Sequence, residues 1–158
     1  MIYIDTPALA KRYITEAGSA QVRTRLAEAA ENGEHLFTSV LTYAESLTLF
    51  GRRYQAGEFD LPEFRKASDD FLADWHSALN ILELDTRTMS TLPELTARYP
   101  LKSADAVHLS AALWLRDGSH LAAEFAGRGA LLEFVVADKS LARIASDCGM
   151  AVFDPQAA

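Results

Sequence analysis

Five short apolar runs, Met1–Ile4, Leu36–Thr38, Asn80–Leu84, Leu132–Ala137 and Ala151–Phe153, recur along the chain with longer helix-patterned stretches between them. Runs this short, rich in Ile, Val, Leu and Phe and bounded by turn residues, read as buried strands. The intervening helices are long enough to carry the chain back across a sheet, which makes neighbouring strands parallel. A parallel sheet has both faces covered. The predicted fold class is therefore α/β, a three-layer α/β/α sandwich around a mostly parallel sheet.

Local signals place the helices. Pro7 suits the first turn of a helix after the first strand, and Gly18 with Ser19 opens a second that runs to about Ala30. Ser39 is positioned to cap VLTYAESLTLFGRRY, whose Leu41, Ala44, Leu47 and Leu49 mark a predicted buried side. Asp60, Pro62 and Glu63 form a capping-box signature for a helix reaching about Ser77. Asp85 or Thr86 is read as the cap of a helix ending before Tyr99 and Pro100, and Ser103 as the cap of the helix in LKSADAVHLSAALWL. Residues 117–130 leave room for one more short helix, and LARIASDCG for another. No repeat, linker or low-complexity segment divides the chain, so residues 1–158 are expected to form one domain.

Composition narrows the function classes. With 49% hydrophobic residues in 158, the chain can bury a full core. Its longest weakly polar run is broken by Asp105 and His108, short of the roughly 20 apolar residues of a membrane span. MIYID reaches a charge at position 5 without the pattern of a secretion signal, which points to the cytoplasm. Cys148, the single cysteine, excludes an internal disulfide and a cysteine-based zinc site, and is read as core filling. The net charge of -7 argues against a large basic surface for duplex DNA. Clustered acids around a divalent cation would still suit nucleic acid, because the ion reverses the local sign.

Where the acids stand therefore matters more than their number. Asp5, Asp85, Asp138 and Asp154 each follow a strand, and ligands of open parallel sheets gather beyond the carboxyl ends of the strands. Asp85 and Asp154 are read as turn or cap residues; Asp5 and Asp138 can be caps too. Asp105 falls in the first turn of its helix, among Ala104, Ala106 and Val107, and Glu45 sits beside Ala44 and Ser46 at a buried boundary. Four converging carboxylates repel one another unless a hard cation such as Mg²⁺ or Mn²⁺ lies among them. Such a site activates water against a phosphodiester without a protein nucleophile.

At the level of motif, the sequence resembles the PIN-domain proteins, and within them the VapC-type ribonuclease toxins of bacterial toxin–antitoxin pairs. YIDTPALAKRY is similar to the family's opening strand and helix, with Asp5 as first acid; TSVLTYAES to the segment of the second, Glu45. LKSADAVHLSAAL is similar to the helix of the third acid, Asp105, and VVADKSLARIA to the turn of the fourth, Asp138. The resemblance implies an Mg²⁺-dependent endoribonuclease, with Asp5 and Asp105 as metal contacts and Glu45 and Asp138 completing the pocket. It also implies a cognate antitoxin that inserts into the site, and a homodimer. In one departure, Pro7 stands where the family commonly has serine or another small polar residue. That removes a side-chain hydrogen bond to metal-bound water or phosphate, leaving Thr6 to serve.

Lys11, Arg12, Arg52, Arg53, Lys102, Lys139 and Arg143 are the candidate phosphate contacts, each with ordinary solvated charge as its alternative. His108, three residues after Asp105 and flanked by apolar residues, is read as a hydrogen-bonded core residue rather than a ligand or general acid. Phe59, Phe64, Phe71 and Trp75 are read as core or dimer surface. Two rival functions stand beside the nuclease. One is a PIN-like domain that binds RNA or a partner without cutting. The other is a phosphatase of the haloacid-dehalogenase type, which normally needs a second Asp where Pro7 stands.

Overall fold

A computed structural model describes residues 1–118 and 132–157. Five strands, β1 (Ile2–Ile4), β2 (Leu36–Ser39), β3 (Leu79–Leu82), β4 (Glu133–Val135) and β5 (Ala151–Phe153), form one sheet. Its order is β3-β2-β1-β4-β5, and every neighbouring pair is parallel. The expected α/β class and layered architecture hold. Because β1 is central, with β2 and β3 stepping to one side and β4 and β5 to the other, the strand order reverses at β1. A crevice opens beyond the end of such a strand, and Asp5 is the next residue.

Seven helices flank the sheet among the described residues: α1 (Thr6–Tyr13), α2 (Ser19–Glu31), α3 (Leu41–Gln55), α4 (Leu61–Ser77), α5 (Leu92–Arg98), α6 (Ser103–Asp117) and α7 (Lys139–Asp147). The alternation of β1 assigns the layers. Ile2 and Ile4 pack with Leu9, Val22, Leu26, Phe50 and Phe71 of α1 to α4, while Tyr3 packs with Leu95, Leu109 and Ile144 of α5 to α7. All three β1 residues are fully buried, as a strand covered on both faces requires. Phe71 is core, edge-on to Tyr13 and Phe50, whereas Phe64 stacks on Tyr54 nearer the surface.

Three local expectations need correction. The helix expected from Asp85 or Thr86 begins at Leu92, because the Asp85 carboxylate accepts the amides of Arg87 (2.8 Å) and Thr88 (2.9 Å) and closes a turn instead. The buried stripe of α3 is Thr42, Ser46 and Phe50 rather than Leu41, Ala44, Leu47 and Leu49. Thr42 takes that side because its Oγ1 lies 2.7 Å from Thr38 Oγ1 on β2 and 3.1 Å from Thr6 Oγ1 on α1, so its bonds bind helix to sheet. The cap position of α6 is Lys102, one residue before Ser103. Asp60 and Glu63 do form their capping box, and Asp154 does hold a turn, accepting the amide of Gln156. The further short helix expected within 117–130 falls, apart from Asp117 and Gly118, outside the described residues. No described helix is long and apolar enough to cross a membrane.

Candidate functional site

Asp5 ends β1 and begins α1. Its Oδ1 accepts the amide of Ala8 at 2.8 Å, so the residue is also the cap of α1. The side chain is 1% exposed. Burial pushes its carboxyl up to about 7; the charge of His108 and hydrogen bonds from the Ala8 and Ala137 amides oppose that rise, and the charge of Asp105 adds to it. Asp138 has a similar structural place: it follows β4, the strand paired with β1, and accepts the amide of Leu141 at 2.9 Å as the cap of α7. Both acids are helix caps beyond the ends of neighbouring strands.

Glu45 reaches the crevice from α3. Its Oε2 accepts the Thr6 hydroxyl at 2.5 Å and lies 3.1 Å from His108 Nε2. Burial alone would raise the Glu45 carboxyl, but the hydrogen bonds from His108 and Thr6 outweigh it and hold the group below its ordinary value. Asp105 stands in the first turn of α6, half-buried, with no hydrogen bond or ion pair among the described residues. Burial first and then Asp138 raise its carboxyl; Lys102 and His108 oppose them, and Glu45 adds to the rise. Asp5, Glu45, Asp105 and Asp138 thus share one electrostatic neighbourhood assembled from four segments. Among the described residues, no three His, Cys, Asp or Glu side chains stand close enough together to hold a metal ion as they are.

His108 joins the core to the acidic crevice. It is 2% exposed and hydrogen-bonded, as expected of a core histidine, yet its partners lie in the site. Nδ1 is 3.0 Å from the Tyr3 hydroxyl, and Nε2 faces Glu45 and, at 3.3 Å, Thr6. A carboxylate only accepts, so Nε2 carries a proton toward Glu45, and in the neutral ring Nδ1 accepts the Tyr3 O–H. Tyr3, Thr38 and Thr42 are the supporting residues that sequence reasoning missed. Their only sequence signal is polar chemistry at positions where strand and helix patterns face inward.

The basic candidates separate into two groups. Lys11 is 4% exposed and bonded to Glu16 (2.6 Å) and the Ala17 carbonyl (2.9 Å); Arg12 is paired with Asp74 at 2.6 Å. Their expected role as free phosphate contacts conflicts with these pairings. Thr6 is likewise buried, orienting Glu45 rather than meeting solvent. Arg53 is held by Glu16 and Glu58. Lys102 and Lys139 are exposed at the starts of α6 and α7, and Arg143 lies 3.7 Å from Asp147. Arg52 is exposed, with no ion-pair partner among the described residues.

The PIN domain family model matches residues 2–124, most of the chain. The chain belongs to the PIN-domain family. Ribonuclease VapC47 of Mycobacterium tuberculosis is 34% identical to this PIN-domain chain over 116 residues, 73% of this chain and 77% of the relative. Two solved structures share the PIN fold. VapBC2 from Rickettsia felis, bound to a DNA fragment from its promoter, matches with a TM-score of 0.65 at 14% identity, covering 98% of each chain. FitAB bound to the IR36 DNA fragment matches at 0.65 and 15% identity, covering 100% of this chain and 97% of the other. Family membership sets aside the haloacid-dehalogenase alternative.

Proposed function

We propose that the chain is a divalent-metal-dependent endoribonuclease of the VapC toxin type, one PIN-like unit over residues 1–158, acting on RNA in the cytoplasm. The observation that carries the reading is the buried Asp5 at the reversal of strand order, within the field of Asp105. The donor set fits a hard cation in chemistry: oxygen ligands, with Asp5 and Asp105 raised first by burial and further by neighbouring carboxylates. Asp5 and Asp105 would hold Mg²⁺, with Mn²⁺ as a substitute, and Glu45 and Asp138 would complete the pocket. Once bound, the ion would supply an activated water and stabilise the leaving oxygen.

The chain's own residues prepare that chemistry. The Ala8 and Ala137 amides fix Asp5 at the end of β1. Thr6 and His108 keep Glu45 ionised and aimed, and Tyr3 fixes the ring of His108. A cognate antitoxin that covers the site and a homodimer accompany this reading, on the strength of the VapC resemblance. Asp5→Asn and Asp105→Asn should each abolish Mg²⁺-dependent cleavage of RNA while the circular dichroism spectrum stays that of the wild type. Undiminished cleavage by both variants would sink the proposal. The rival reading, an RNA- or partner-binding PIN domain that does not cut, is favoured by Pro7 and the net charge of -7. Retained RNA binding without cleavage under Mg²⁺ or Mn²⁺ would select it.

A further inference from the structure

Beside the carboxylates lies a cavity of about 480 Å³, open to solvent, between the start of α1 and one face of α3. Glu45 closes one end, Arg52 and Arg53 the other, and Pro7, Ala44 and Leu49 give it apolar walls. The α3 contributors fall at 44/45, 48/49 and 52/53, consecutive turns of one helix face, so the groove runs about 10 Å along the helix from Glu45. Arg53 is engaged by Glu16 and Glu58, but Arg52 is an exposed cation without an ion-pair partner among the described residues of a chain whose net charge is -7. The groove therefore places one uncommitted guanidinium at the far end of an apolar trough that starts at the acidic site.

We infer that this groove is a nucleotide subsite: it seats one nucleotide of single-stranded RNA next to the phosphodiester at the acidic pocket, with Arg52 on its phosphate and its base against Pro7, Ala44 and Leu49. A guanidinium matches phosphate oxygens bidentately, and an apolar wall accepts any base face without reading its edge. Pro7 acquires a reason here. It is exposed and lines the groove, and its ring supplies apolar surface where a small polar side chain would face water. Arg52, at the opposite end from Glu45, serves RNA placement rather than the chemical step. The inference rests on RNA being the substrate, as proposed above.

The test is binding of a labelled single-stranded oligoribonucleotide, with divalent ions omitted to prevent cleavage, to the protein by fluorescence anisotropy over a salt series. Arg52→Gln should weaken binding by about fivefold to tenfold and reduce the salt slope by about 0.7, the share of one phosphate contact on a single strand. Thr48→Glu, which adds an anion to the trough, should weaken it further. Arg87→Gln, outside the groove, should bind as wild type. Wild-type affinity and slope in Arg52→Gln, or no RNA binding by the wild type, would overturn the subsite. So would loss of antitoxin binding by Arg52→Gln with RNA binding intact, which would make the groove a protein-docking surface. If Asp5→Asn cleaves normally yet Arg52→Gln loses RNA, the cleavage mechanism fails and the subsite stands.

Discussion

Asp5 shows how one side chain can be a structural cap and a source of instability. Its folded pKa of about 7 lies above the usual value of 3.8, so the folded state holds the proton more tightly than the unfolded chain does. Stability from this group is therefore full below about pH 4, falls as pH rises toward 7, and is level above. The gap of about three pH units corresponds to roughly 4 kcal/mol, an upper bound for so buried a group. Asn also caps helices well and carries no charge to desolvate. Without divalent ions, Asp5→Asn should be about 2–4 kcal/mol more stable than wild type at pH 8 and indistinguishable from it at pH 4, by urea denaturation at both values. Equal stability at pH 8 would contradict the buried-carboxylate account. At this scale the sequence showed the acids but not their supports. Strand-end position marks Asp5 and Asp138, whereas the bonds from Thr6 and His108 to Glu45 span 39 and 63 residues and follow from no local spacing.

At the scale of elements, α3 is docked by hydroxyls. Thr38, itself bonded to the Ile4 carbonyl, meets Thr42, which meets Thr6, so β1, β2, α1 and α3 share one buried polar chain. Thr42→Val keeps the shape and removes that link, leaving Thr38 and Thr6 short of a partner. The expected cost is about 1–2 kcal/mol in chemical denaturation, with a drop in nuclease activity because Glu45 lies three residues further along the same helix. A stability change without any activity change would separate docking from the site. Hydrophobic periodicity located this helix but rotated it wrongly, since it weighs leucine above threonine and cannot register a hydroxyl partner on another segment. Where caps are local, as in the Asp60–Glu63 box, sequence and structure agree. Where a side chain closed a turn, as at Asp85, the helix start moved to Leu92.

For the whole molecule, the alternation of strands and helices was enough to predict the layered fold and the end of the sheet that carries the acids. What alternation leaves open is the strand order, which depends on pairing between β1 and β4 across most of the chain. Metal binding should be visible globally as well. Mg²⁺ at about 100 times its dissociation constant should stabilise the folded protein by about 2.7 kcal/mol, read as a rise in Tm that Asp5→Asn abolishes. An unchanged wild-type Tm across a Mg²⁺ or Mn²⁺ titration would count against a shared ion.

The central position of β1 also sets a timetable. Ile2 to Ile4 pair on one side with Leu36 and Phe37 but on the other with Glu133 to Val135, and Asp138 follows only after these. Pairings this distant form slowly and late. A chain that has ordered Asp5, Glu45 and Asp105 therefore lacks Asp138 and one side of its sheet until β4 has paired.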